Sequence, residues 1–189
     1  MTPVPTMLIP RARRAFTLIE LLVVIVILGL AGALVIPQMG TVQSLRVHAA
    51  VRTLVSDLTF AQSDAIAFQR RRAIVFDVPN STYRIVDIPG STIDNANTLF
   101  LPDGPNGRYI VNLGDARFAG ARIVSANFGT GALANTLIFD DLGSPALGTT
   151  GDQPGSGGQV VIEGSGDRFT VLVEPFTGRV VVRRGLPPS

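Results

Sequence analysis

"RRAFTLIELLVVIVILGLAGALVIP", residues 13–37, carries one acidic residue, Glu20, near the start of an otherwise unbroken apolar run. Phe16 to Ile36 is 21 residues. At about 1.5 Å of rise per residue, such a helix is roughly 30 Å long, one hydrocarbon thickness. The length is that of a single membrane span. A charge at the centre of a membrane helix costs about 2.5–3.5 kcal/mol on insertion scales, and less near an interface. A carboxylate retained at Glu20 therefore needs a role. Arg11, Arg13 and Arg14, just before the run, hold its N-terminal side in the cytoplasm by the positive-inside rule.

Two ordinary readings fit the run. One is a secretory signal with a basic n-region, an apolar h-region from Phe16 to Leu30, and an A-x-A cleavage pattern at Ala31, Gly32 and Ala33. The other is a signal anchor that is never cleaved. Neither gives Glu20 a purpose, and both are weakened by it.

The whole chain of 189 residues suits an N-terminal segment followed by one modest domain. It has no cysteine, which excludes disulfides, thiolate metal sites, a cysteine nucleophile and a lipoprotein-type anchor. All 16 basic residues are arginines, and three of them lie ahead of the apolar run. Beyond Ala15, 13 arginines face 14 acids, so the basic balance belongs to the leader. The folded part is not a wholesale nucleic-acid surface.

Past Pro37, residues Val47, Val51, Leu54, Leu58, Ala61, Ala65 and Phe68 recur at alternating spacings of four and three, one apolar stripe on a helix. Arg46, Arg52, Asp57, Gln62 and Asp64 fall mostly off that stripe and read as its wet side. The pattern predicts one long, kinked helix from Phe16 to about Arg71. Arg70, Arg71 and Arg72 are expected to close it, offsetting the negative end of its dipole. The period then changes to two. Strands are predicted at 73–78, 82–88, 108–113, 121–126, 135–140, 159–164, 168–174 and 179–184, the last three as a meander. Two loops rich in Gly, Pro, Asn, Asp, Ser and Thr, Pro89–Gly107 and Leu142–Gly158, interrupt them. The fold class is α+β, a long helix on an antiparallel sheet.

His48 is the only histidine, with no nucleophile elbow or phosphate loop to work with, so no catalytic residue is assigned and no enzyme is expected. Asp94, Asn95, Asn97 and Asp103 in the first loop, and Asp140, Asp141 and Asp152 around the second, carry oxygens that could serve a cation. They lack EF-hand spacing and match turn chemistry, so no metal and no cofactor is expected. Arg179, Arg183 and Arg184 form a weak basic cluster without lysines or interleaved aromatics, and DNA binding is not expected.

The opening segment resembles the N-terminus of type IV pilins and type II secretion pseudopilins. That resemblance implies a prepilin peptidase that cuts between Ala15 and Phe16 on the cytoplasmic side and methylates the new amino group of Phe16. It implies that Glu20 meets the N-terminal amine of a neighbouring subunit as a filament assembles. Pairing with a cation removes much of the cost of a carboxylate in a low-dielectric bundle. Pro37, as a helix kink, and Gly29, as a helix-weakening position, also match the pattern. The family usually has glycine before the cut; Ala15 is the smallest substitution for it.

A second stretch, "NTLIFDDLGSP" with "GQVVIEGSGDRFTVLVEPFTGRVVV", is similar to the GspH/FimT family of minor pseudopilins and minor pilins in its F-x-x-x-G turn and closing P-x-x-G-R-V hairpin. "LTFAQSDAIAFQRRRAIVFD" resembles that family's helix end and first strand. The resemblance implies a pilin-like fold in three parts. These are a leader at 1–15, a transmembrane assembly helix at 16–37, and a periplasmic domain at 38–189, with helix to residue 72 and β-sheet with long loops from 73. It further implies a single-pass inner-membrane protein that joins major and minor pseudopilins in a hetero-oligomeric pseudopilus driving protein export. A FimT-like minor pilin of a type IV pilus, serving assembly or DNA uptake, and a secreted binding module with an ordinary signal peptide are the alternatives.

Overall fold

Thr17 opens the first helix. The backbone N–H of Glu20 donates to the Thr17 hydroxyl at 3.3 Å, the Ser/Thr-x-x-Glu signature of a helix start. Helix α1 spans Leu18–Val35, with Glu20 in its first turn, where the positive end of the dipole favours a carboxylate. The computed structural model describes residues 17–35, 39–151 and 153–185 and divides the chain into two units at Met39/Gly40. The leader, Ala15, Phe16, Ile36 and Pro37 lie outside the described residues, and with them the expected cleavage site and kink. The 18 residues of α1 measure about 27 Å. Among the described residues no helix is long and apolar enough to cross a membrane; the expected 21-residue span includes positions at both ends that the description leaves out.

In the second unit, helix α2 spans Met39–Phe68. Val47, Val51, Leu54, Leu58, Ala61 and Ala65 of the expected stripe are buried, and Ala50 joins them. Phe68 does not: it is 65% exposed, and its ring lies 5.9 Å from the Arg72 guanidinium. The helix stops because Gln69 adopts a left-handed backbone with φ 50°, and the Arg70 N–H turns back to the Ala65 carbonyl. This corrects the expected end. Arg71 and Arg72 are not helical but open the first strand, and Arg72 is buried.

The strands are β1 (Arg71–Asp77), β2 (Thr82–Ile88), β3 (Ile110–Asn112), β4 (Arg122–Asn127), β5 (Thr136–Phe139), β6 (Pro145–Leu147), β7 (Gln153–Pro154), β8 (Gly158–Gly164), β9 (Asp167–Val173) and β10 (Val180–Arg184). Each expected strand has its counterpart, and β6 and β7 lie inside the expected second loop. They form two antiparallel sheets in place of one. The first has six strands in the order β3-β2-β1-β5-β6-β7, and the second has four in the order β10-β9-β8-β4. Strand β5 inserts beside β1, with Ile74 opposite Leu137. Strand β4 leaves β3 and pairs with β8, with a register shift between Ile123 and Ser125.

One apolar core joins both sheets to α2. Leu54, Leu58 and Ala61 of the helix share it with Ile74, Tyr83 and Phe139 of the first sheet and with Ile162, Phe169 and Val171 of the second. A smaller cluster, Ala73, Val86, Ile88 and Ile138, lies on the other face of the first sheet. Strand β5 is consequently buried at all four positions, a run too apolar to show alternation.

Candidate functional site

On α1 every large apolar side chain from Leu18 to Leu30 is exposed, between 46% and 83%. A helix apolar on all sides has no solvent face and requires lipid or other helices around it. Glu20 is exposed in the first turn and is the one ionisable group of the helix. The helix is thus an apolar cylinder with a single charge in its first turn.

In the second unit, polar contacts of α2 fall on different sides of the helix, Asp57 and Asp64 along one and Gln62 on another. Asp57, expected on the wet side, is instead buried. Its two oxygens accept hydrogen bonds from the Tyr83 hydroxyl at 2.5 Å and the Tyr109 hydroxyl at 2.9 Å. Burial raises the carboxyl above its ordinary range, against the lowering effect of the two tyrosine bonds and of Arg117. Both phenols are raised too, first by burial and then by the Asp57 charge. The protein has only two tyrosines, and both are spent here.

One turn further on, Gln62 Nε2 donates to the carbonyls of Gly143 and Thr177, each at 2.8 Å. These belong to the F-x-x-x-G and P-x-x-G-R-V turns, one from each sheet, and Ser144 Oγ ties the turns together by donating to the Phe176 carbonyl at 2.6 Å. Gly178 has φ 65°, and a Cβ there would lie 2.5 Å from Gln62 Nε2. Glycine is required by both the backbone and the space. Arg72 reaches Asp64 of α2 and Asp87 of β2, while Arg70 bonds the second Asp87 oxygen at 3.0 Å.

Several of the remaining candidates are occupied by structure. Asp94 accepts from the Ala96 N–H, and Asp140 accepts from the N–H groups of Leu142 and Ser144, as turn carboxylates do. Asp152 lies outside the described residues. Among the described residues, Asp94, Asn95, Asn97, Asp103 and Asp141 join no cluster of three or more His, Cys, Asp or Glu side chains able to hold a metal. His48 packs edge-on against Phe169, ring centroids 4.8 Å apart. Arg179 forks onto Glu174 at 2.7 and 2.9 Å and Arg184 reaches Asp167 at 2.5 Å, so two of the three C-terminal arginines are neutralised locally. Glu174 is held below its ordinary value by the Arg179 bond, and Glu163 likewise by Arg168.

The family described as the prokaryotic N-terminal methylation motif matches residues 10–36. No curated protein matches the chain by sequence. Among solved structures, the minor pseudopilin EpsH from the Type 2 Secretion System of Vibrio cholerae is similar, with a TM-score of 0.50 and 12% identity. The similarity covers 74% of this chain and 97% of that one. The fold is thus pilin-like α+β, an N-terminal helix with antiparallel sheets.

Proposed function

We propose that the chain is a structural minor pseudopilin of a type II secretion system, anchored by its N-terminal helix in the inner membrane with the second unit in the periplasm. The observation that carries this reading is the pairing of an N-terminal methylation motif with a fold like that of a minor pseudopilin. In the proposed sequence of events, prepilin peptidase cuts between Ala15 and Phe16 and methylates Phe16. The mature helix then enters a bundle of major and minor pseudopilins. The Glu20 carboxylate pairs with the Phe16 amine of the neighbouring subunit; a register error would leave both charges unpaired in a low-dielectric bundle.

The test is the mass of the mature protein purified from cells that carry a prepilin peptidase. The expected product begins at Phe16 and carries one added methyl group. A product cut after Ala33 would overturn the reading in favour of an ordinary secretory signal.

A further inference from the structure

Strand β10 is the outer strand of its sheet and pairs only with β9. The Glu174 N–H donates to the Arg179 carbonyl at 2.9 Å and the Gly185 N–H to the Arg168 carbonyl at 2.8 Å. In an antiparallel ladder bonding residues alternate. The odd-numbered residues of β10 therefore face β9, and the backbone groups of Val180, Val182 and Arg184 point to the open side. That is a row of three unpaired N–H and C=O pairs.

The inner face of the same strand borders a groove of about 590 Å3 against α2. Its floor is apolar, made by Val51 and Val55 of the helix, Phe169 of β9 and Val182 of β10, with Arg52 and Arg184 at the rim. Val182 is 43% exposed. Arg184 is paired with Asp167, whereas Arg52 is exposed and forms no ion pair or hydrogen bond among the described residues. Arg183, on the outer face of the strand, is likewise without an acidic partner among them.

We propose that the β10 edge and this groove dock an extended, acidic strand from a partner protein. Its backbone would pair with Val180, Val182 and Arg184, its alternate apolar side chains would fill the groove, and a carboxylate would meet Arg52. A helix in the groove would leave the open row of backbone groups unsatisfied. A second copy through the same edge would place two arginine-bearing strands side by side, which like charge disfavours. Arginine on the strand works against self-pairing while Arg52 beside it admits an acidic strand, and strand addition to an exposed edge is an established mode of peptide recognition. Neither Phe16 nor Glu20 takes part, so the proposal stands or falls apart from the N-terminal reading.

The test uses the full chain in detergent micelles, selected against a displayed library of random nine-residue peptides. The expected winners alternate apolar residues and carry at least one Asp or Glu. Methylating alternate backbone nitrogens of a synthetic winner, on the side that pairs, should weaken it at least tenfold without touching the protein. Arg52→Glu, at an exposed helix position, should weaken it at least fivefold, and Arg108→Glu should leave it unchanged. A library that yields no winner, a winner indifferent to N-methylation, or one indifferent to Arg52→Glu would overturn the proposal.

Discussion

Asp57 shows how one residue can be misplaced by periodicity and still be decisive. On a helical projection it lies within the arc of Leu54, Leu58 and Ala61, yet its charge assigns it to water. The only signal against that in the sequence is the pair of tyrosines on later strands, which have no other polar partner. Asp57→Ala should strand two buried hydroxyls and cost about 3 kcal/mol in urea unfolding. A loss below about 1 kcal/mol would show that water replaces the carboxylate. Because burial raises the carboxyl in the folded state, folding takes up a proton between the ordinary and the raised values. The contribution of Asp57 is therefore greatest at low pH and is lost as pH rises through the raised value. The stability difference between wild type and Asp57→Asn should thus grow in favour of wild type as pH falls from 7 toward about 4; a constant difference would contradict the raised carboxyl. Glu20 is the opposite case, conspicuous in the sequence because its apolar surroundings disfavour a charge, and its pairing role is part of the proposal. Glu20→Ala should leave N-terminal processing intact and reduce filament cross-linking, and normal cross-linking would remove the pairing role.

Among the elements, most strands were readable from period two, and β5, buried on both faces, from a short apolar run between turns. The end of α2 was not, because three consecutive arginines look alike in composition while the structure uses them differently. Arg70 stays 55% exposed at its side chain and Arg72 only 5%. Arg72 holds α2 to β2 through two carboxylates, and Arg72→Ala should cost about 3 kcal/mol by leaving Asp64 without a cation while Asp87 keeps Arg70. The split into two sheets was hidden for another reason. Strand β5 pairs with β1, and β4 with β8, across long stretches of chain, and local pattern carries no record of such pairings. The closing hairpin is set by Gly178. Gly178→Ala should cost about 2 kcal/mol, since a left-handed backbone and a contact with Gln62 must both be accommodated. Thermal unfolding checks this, and an unchanged midpoint would mean that the turn repacks.

The core of the whole second unit draws on α2 and both sheets, so residues 40–189 expressed alone should fold. Circular dichroism should show a cooperative transition, and a spectrum without one would count against an autonomous domain. The fold class was legible from a helix stripe followed by period-two segments. The partners of Asp57, Gln62 and Arg72 became visible only in three dimensions, because each lies on a distant element. The same unit should not shift DNA at about 0.15 M salt, where a few phosphate contacts lose most of their affinity. Arg179 and Arg184 already have carboxylate partners. Micromolar binding abolished by Arg183→Ala with Arg184→Ala would favour a DNA-uptake pilin instead.

The attachment of α2 has a mechanical consequence. Among the described residues no backbone hydrogen bond joins this helix to either sheet; Asp57, Gln62, Asp64 and the packed stripe carry the connection. Pulled along its axis, α2 behaves as a rod in a socket, with all of these contacts loaded in shear together. It cannot peel open rung by rung as a strand can. Because only Gln69 and Arg70 separate the helix from β1, a pull that overcomes these contacts passes directly to the central strand of the first sheet.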